Sequence, residues 1–463
     1  MRNLVAMSVL IPRASRAGLA AAVDSPSRSR PTARRSRSSQ RSFDGTASLL
    51  RSASCAVLLL PSLAFAGVLR VAPSGAPFNS PQAAIDAAVD GDTILIAPGA
   101  YPGFATGDKT LAITVDGAGV VHCGSVLVEN LSSAKNVLID GVKLTATSGM
   151  ALKLRSNAGS VRIQNCTLTG ASAVYGSPSI VKGPGAYVSS SDDVVFRGCT
   201  VRGGAGYSDW GAGDADDGLF TRGSRLALYG CTVNGGAGGW ADPDSHHWGG
   251  NGGDGVDSPD SFVLAQQCTI RGGPGGAGGD GDFLQPGGGG GAGGHGIHLH
   301  ADIGTNPDVA VRQCTLSGGA GGLNGYWYIG PAAPAGLPYL ASVGAVRTPS
   351  NTTVVDLQTP ANWPIGSSVP VTVTAPPGAT VALLLGPDTG FAYNASTDYA
   401  LHVPPPFYRR LTLGVVPANG VITFNMLVPT PPGGLPTQAW HLQALLTGAS
   451  AGPLGSLASV VVY

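Results

Sequence analysis

Residues 198–204 read GCTVRGG, and near-copies follow: GCTVNGG at 230–236, QCTIRGG at 267–273 and QCTLSGG at 313–319. A shorter relative, NCTLTG, occupies 165–170. From cysteine to cysteine the spacings are 33, 32, 37 and 46 residues, and Val142 in IDGVKL takes the cysteine's place one turn earlier. Self-similarity with insertions of variable length is the mark of stacked supersecondary units, a solenoid.

The units align beyond the cysteine. GLFTRGSRLALYGCTVNGG (218–236) and GVDSPDSFVLAQQCTIRGG (255–273) share one plan: a glycine, a short alternating strand, a polar turn, a second strand, a corner and a third strand. In the second strand Leu226 and Leu228 point one way while Ala227 and Tyr229 point the other. Cys231 and Val233 face inward with them only if the chain bends in between, at Asn165, Gly198, Gly230, Gln267 or Gln313 of each unit. Glycine and asparagine suit positive φ at such a corner, and glutamine fits less well. Cysteine is then a small apolar plug on the third strand. Stacked β-carbons sit farther apart than a bridge prefers, so a column of mostly free thiols is expected. Of seven cysteines, only Cys55 and Cys123 lie outside the repeat.

Composition agrees. Of 463 residues 71 are glycine and 35 proline, with 12% charged and 43% apolar, which suits many short strands joined by glycine corners. The chain holds 27 basic and 27 acidic residues, but residues 1–66 contain ten arginines against Asp24 and Asp44. The remainder therefore carries 17 basic and 25 acidic residues, which argues against a nucleic-acid partner. Arg51 followed by CAVLLLPSLAFA, with Ala64-Phe65-Ala66 before Gly67, reads as a signal peptide, too short for a stable transmembrane anchor. A secreted or cell-surface protein beginning at Gly67 is expected.

The segment FNSPQAAIDAAVDGDTILIAPGAYPGF (78–104) resembles the opening of bacterial secreted right-handed parallel β-helix proteins of the pectate-lyase-like superfamily. Ser80 and Pro81 start a helix whose stripe is Ala84, Ile85, Ala88 and Val89. The resemblance covers roughly 67–345 and implies that this helix plugs the end of the core. It implies fold rather than activity, since the superfamily holds lyases, hydrolases and adhesins. From about Arg347 glycine runs give way to prolines and antiparallel-type strands, the pattern of a β-sandwich. The expected class is all-β: a leader and signal peptide (1–66), a right-handed parallel β-helix solenoid with an N-terminal capping helix (67–345), then a small β-sandwich (346–463).

The glycine-rich stretches read as permissive corners and insertions, not phosphate cradles. Loops at 205–217, 237–254, 274–295 and from 320 onward leave the same corner and should form one lip. They carry Trp210, Trp240, Trp248, Tyr326, Trp327 and Tyr328, which either stack on sugar rings or fold back over the loops' own apolar surface.

Aligning units on Gly218, Gly255 and Gly296 brings Asp217, Asp254 and His295 into one row. Phe220, Asp257 and His298 then share the outward position two residues later. Carboxylates about 5 Å apart can hold calcium, with Asp217, Asp254 and Asp257 as ligands, act in glycoside cleavage, or form a solvated polar face. DADD (214–217) and Gly294-His295-Gly296 are similar to elements of polygalacturonases, but the Asn-Thr-Asp and Arg-Ile-Lys elements are absent. The pectate-lyase pattern lacks a supported basic residue, with only Arg222 and Arg225 nearby. The expected function is binding of extracellular carbohydrate or cell-envelope material. Two alternatives stand beside it: a polysaccharide lyase or glycoside hydrolase using the Asp/His patch, and a structural surface spacer.

Overall fold

A computed structural model describes residues 66–462 apart from 178–179, 210, 303–306, 349–352, 395–398, 404, 406–408, 429, 431–437 and 448–453. The leader, Cys55 and Trp210 therefore lie outside the described residues. The chain is nearly all-β. A 10-stranded sheet and two 8-stranded sheets, every pairing in them parallel, stack the units identified in the sequence. Each coil contributes one strand to each sheet, as in Arg225–Tyr229, Thr232–Asn234 and Val256–Pro259. This is a parallel β-solenoid.

Two left-handed corners make each coil close. Asn165, Gly198, Gly230, Gln267 and Gln313 have φ of 53°, 60°, 58°, 54° and 49°. The glutamines adopt the conformation despite their poorer fit, because the stack on either side dictates it. A second corner falls at Asn130, Ser156, Ser190, Gly223 and Asp260. Just past it, Ser191 Oγ accepts the Asn157 N–H, Ser224 Oγ the Ser191 N–H and Ser261 Oγ the Ser224 N–H, all buried. The polar turn in each unit is thus a ladder that satisfies backbone donors inside the core.

Val, Leu and Ile from all three sheets fill the coil interior, with Cys166, Cys199, Cys231 and Cys268 at most 2% exposed. The thiols are free, and the N–H of Thr200, Thr232, Thr269 and Thr315 donates to the carbonyl of the preceding coil's cysteine. Cys314 is only partly buried. Cys123, outside the repeat by sequence, lies in the same sheet opposite Leu144 and is also buried. The helix Pro81–Ala87 is capped by Ser80 and buries Ala84 and Ile85 in this core. It ends before Val89, which is 40% exposed rather than part of the stripe.

The outer face of the 10-stranded sheet is also apolar, as strands covered on both sides require. Val195, Ala227, Tyr229, Leu264 and Ala310 pack against Leu384, Ala400, Val403 and Leu457 from the C-terminal region. Arg162, 2% exposed, pairs with Asp193 at 2.7 Å and donates to Thr389 Oγ1. The C-terminal strands form a 3-stranded and a 5-stranded sheet around one core containing Trp363 and Trp440, with a further 2-stranded sheet, and the two parts make one compact unit. The eight-stranded sheets and the loops between them remain for function.

Candidate functional site

The glycine-rich loops are ordered by a three-residue rule. On the outgoing run, Gly235, Gly238 and Ala241 donate their N–H to Arg271, Pro274 and Ala277 on the next coil's outgoing run. Gly236 and Gly239 donate instead to Asp216 and Gly213 on a returning run. Returning runs repeat the scheme: Gly249, Gly252 and Gly255 donate to the next coil, Gly250 and Gly253 to Gly239 and Gly236. A period of three with all bonds made between segments is the habit of polyproline-II chains, which pack closely only through glycine. A β-carbon on Gly273 or Gly276 would stand 1.7 Å from the carbonyl oxygen of Gly236 or Gly239. The loops are therefore a two-layered slab, not a set of permissive corners. The signal was present as GGPGGAGGD at 272–280.

Every third N–H points out of the slab, and a side chain one coil back accepts it. Asn251 donates to Asp214 Oδ1 at 2.7 Å and Asp254 to Asp217 Oδ1 at 2.8 Å. His295 donates to Asp254 Oδ1 at 2.5 Å, and Leu337 to His295 Nδ1 at 2.9 Å. Asp217, Asp254 and His295 do form the expected row, and each spends an acceptor atom on the backbone. Burial, then the charges of Asp257 and Asp254, push the Asp217 carboxyl well above its ordinary value.

Beside this row, on the 8-stranded sheet that contains Val256–Pro259 and Ile297–His300, Asp257 pairs in register with His298 and Pro259 with His300. His298 Nδ1 lies 3.0 Å from Asp254 Oδ2 and 3.5 Å from Asp257 Oδ1. His300 Nδ1 lies 3.3 Å from Asp257 Oδ1, and its Nε2 is 3.3 Å from Asp302 Oδ1. Burial pushes the Asp257 carboxyl up to about 6, against the pull of His300 and His298. The hydrogen bond to Asp254 raises His298. His300 and Asp302 escaped the sequence reading, although strand alternation carried two residues past His298 reaches His300. Further along the same face Phe220 stacks on Tyr187 at 5.2 Å, and Lys153 stands over the Tyr187 ring.

At the far edge of the slab Trp240 and Trp248 are 68% and 62% exposed, and Tyr326 and Trp327 are exposed beside them. Trp248 meets Tyr328 edge-on at 5.5 Å. Trp240 lines a groove of about 610 Å³ with Ser208, Asp209, Asp242, Asp280 and Asn324. Trp248 and Tyr328 lie over Gly289 of the slab, whereas Trp240 and Tyr326 stand exposed at its edge.

No family model matches the chain, and no curated protein does. Among solved structures, a superoxide reductase (neelaredoxin) from Ignicoccus hospitalis matches at 12% identity. That match covers 24% of this chain and 82% of the other at a TM-score of 0.15, too slight to bear on fold or activity.

Proposed function

We propose that this chain is an exported β-helix protein that binds extracellular carbohydrate or cell-envelope material through the edge of its glycine slab. The observation behind the reading is the exposure of Trp240 and Trp248 beside a groove rimmed by Asp209, Asp242, Asp280 and Asn324. Flat aromatic faces stack on the apolar faces of sugar rings, while carboxylates and amides take up hydroxyl groups. A rigid slab lowers the entropy lost when a ligand orders its site. A glycan-array screen with and without calcium, followed by tryptophan-fluorescence titration of each hit, tests this. Trp240→Ala should weaken binding of any hit at least tenfold. Unchanged affinity, or an array without hits, defeats the reading.

The same proposal takes the solenoid as right-handed and pectate-lyase-like, with the helix Pro81–Ala87 closing its end and a β-sandwich covering its longest sheet. Export follows from the signal-type segment before Gly67. N-terminal sequencing of secreted material should begin at Gly67, and recovery of an intact Met1 would refute export. A second reading, polysaccharide cleavage, draws on Asp257, a carboxyl held at about 6 among histidines, as an acid catalyst requires. It predicts product release from a polysaccharide that Asp257→Asn abolishes while binding persists.

A further inference from the structure

Asp257 Oδ1 and His300 Nδ1 are both sealed from solvent without a hydrogen-bond partner, and they face each other at 3.3 Å. His298 Nδ1 approaches the same Oδ1 at 3.5 Å. The far nitrogen of His300 lies 3.3 Å from the Asp302 carboxylate. With carboxylates 3.3 Å from both ring nitrogens, a neutral imidazole, which carries one proton, must turn a lone pair toward one of them. Where it is the sealed Nδ1 that faces Asp257 Oδ1 with a lone pair, the contact is costly unless a positive charge lies between them. Asp302 is itself fixed, since its N–H donates to Asp260 Oδ2 at 3.0 Å.

The separations suit an ion. Zinc holds nitrogen and oxygen ligands at about 2.0–2.2 Å, so two ligand atoms at tetrahedral corners stand roughly 3.3–3.6 Å apart. One ligand atom from each of Asp257, His298 and His300 lies within 4.8 Å of the others. Two imidazoles with one carboxylate select a borderline transition metal over calcium or magnesium, which take oxygen.

We infer that Asp257, His298 and His300 form a binding site for a divalent transition metal ion of zinc type, with Asp302 orienting His300. Any proton on the coordinating nitrogen of His298 leaves to solvent, and the Asp254 carboxylate, 3.0 Å from His298 Nδ1, adds negative charge beside the ion. The His298 and His300 side chains are 26% and 28% exposed, so an ion can enter from solvent.

The test is calorimetric titration of the chelator-stripped protein with Zn²⁺, alongside X-ray absorption of the zinc-loaded, unmutated chain. One equivalent should bind, with a nitrogen and oxygen shell that includes imidazole scattering, undisturbed by excess Ca²⁺. His300→Gln and Asp302→Asn should each weaken the affinity about 10–100-fold. The pair His246 and His247, stacked at 4.7 Å with His246 exposed, serves as the control, and His246→Gln should bind as the parent does. A sulfur shell would move the ion to the cysteine column and overturn the inference. So would absence of saturable binding, which leaves a proton between Asp257 and His300.

Discussion

Asp217 Oδ1 accepts the backbone N–H of Asp254, one coil further on, at 2.8 Å. Asp254 repeats the act for His295. A row that looks like a cluster of catalytic carboxylates is therefore first a device for closing the slab: the outward N–H of each returning run, which has no glycine-layer partner, is met by a side chain. The reactive group with free atoms is the neighbouring set on the strand, Asp257, His298 and His300.

Replacing Asp217 separates the two roles. Asp217→Ala leaves the part-buried Asp254 N–H without an acceptor and should cost about 1–3 kcal/mol of unfolding free energy. Asp217→Asn keeps an oxygen in place and should cost less than half of that. Denaturant titration of both variants decides it, and equal losses would deny the hydrogen bond its role.

The slab predicts an unusual intolerance of alanine. At Gly273 a methyl group collides with the Gly236 carbonyl of the adjoining run, with no flexible side chain to yield. Gly273→Ala should destabilise by about 3 kcal/mol, the upper range for overpacking. Gly211, with no atom within 4 Å of a built β-carbon, is the comparison, and Gly211→Ala should stay within about 0.5 kcal/mol of the parent. Equal melting temperatures for the two variants would mean that the loops do not pack as a slab in solution.

The parts legible in the sequence were those set by local repetition. Each corner sits at a fixed offset from its cysteine, so Asn165, Gly198, Gly230, Gln267 and Gln313 could be placed without knowing what surrounds them. Asp217, Asp254 and His295 aligned for the same reason, each preceding its loop-ending glycine. The slab was harder to see because glycine's freedom suggests mobility, whereas its missing side chain here permits close backbone approach. Ala227 and Tyr229 announced an apolar outer face, yet nothing in a strand names its cover, and Leu384 and Leu457 lie more than a hundred residues away. His300 required one further step of the two-residue alternation.

The cysteine column makes a chemical prediction. Burial pushes the Cys123 thiol up to about 12 and raises Cys199 and Cys268 well above their ordinary value. In Cys231 the upward push of burial is outweighed by hydrogen bonds with those last two neighbours. It is burial that excludes reagents from the column. Of the six described cysteines only Cys314 is partly exposed. An aromatic-disulfide reagent should label Cys314 first in the native protein and the other five only after unfolding. Fast native labelling of all six would refute the inward-facing column.

Acid should act through two buried histidines beneath the C-terminal sheets. Tyr229 O–H donates to His402 Nε2 at 2.7 Å, and His441 Nδ1 meets Ser459 Oγ at 2.8 Å. Burial, helped by the charge of Arg162, holds both rings down to about 3. The unfolded chain takes up protons near 6.5 that the folded chain refuses until about 3. The stability from these two neutral rings is therefore complete above about 6.5 and drains away as the pH falls toward 3, by up to about 1.4 kcal/mol per pH unit for each ring. Asp217 and Asp257 run the other way, because their raised carboxyls bind protons more readily folded than unfolded. The parent's profile consequently mixes signs, and the difference from a His402→Gln, His441→Gln double variant isolates the histidines. Between about pH 7 and pH 4.5 the double variant should lose less unfolding free energy than the parent. Parallel profiles over that interval would show that these rings titrate normally and are not sealed beneath the sheet.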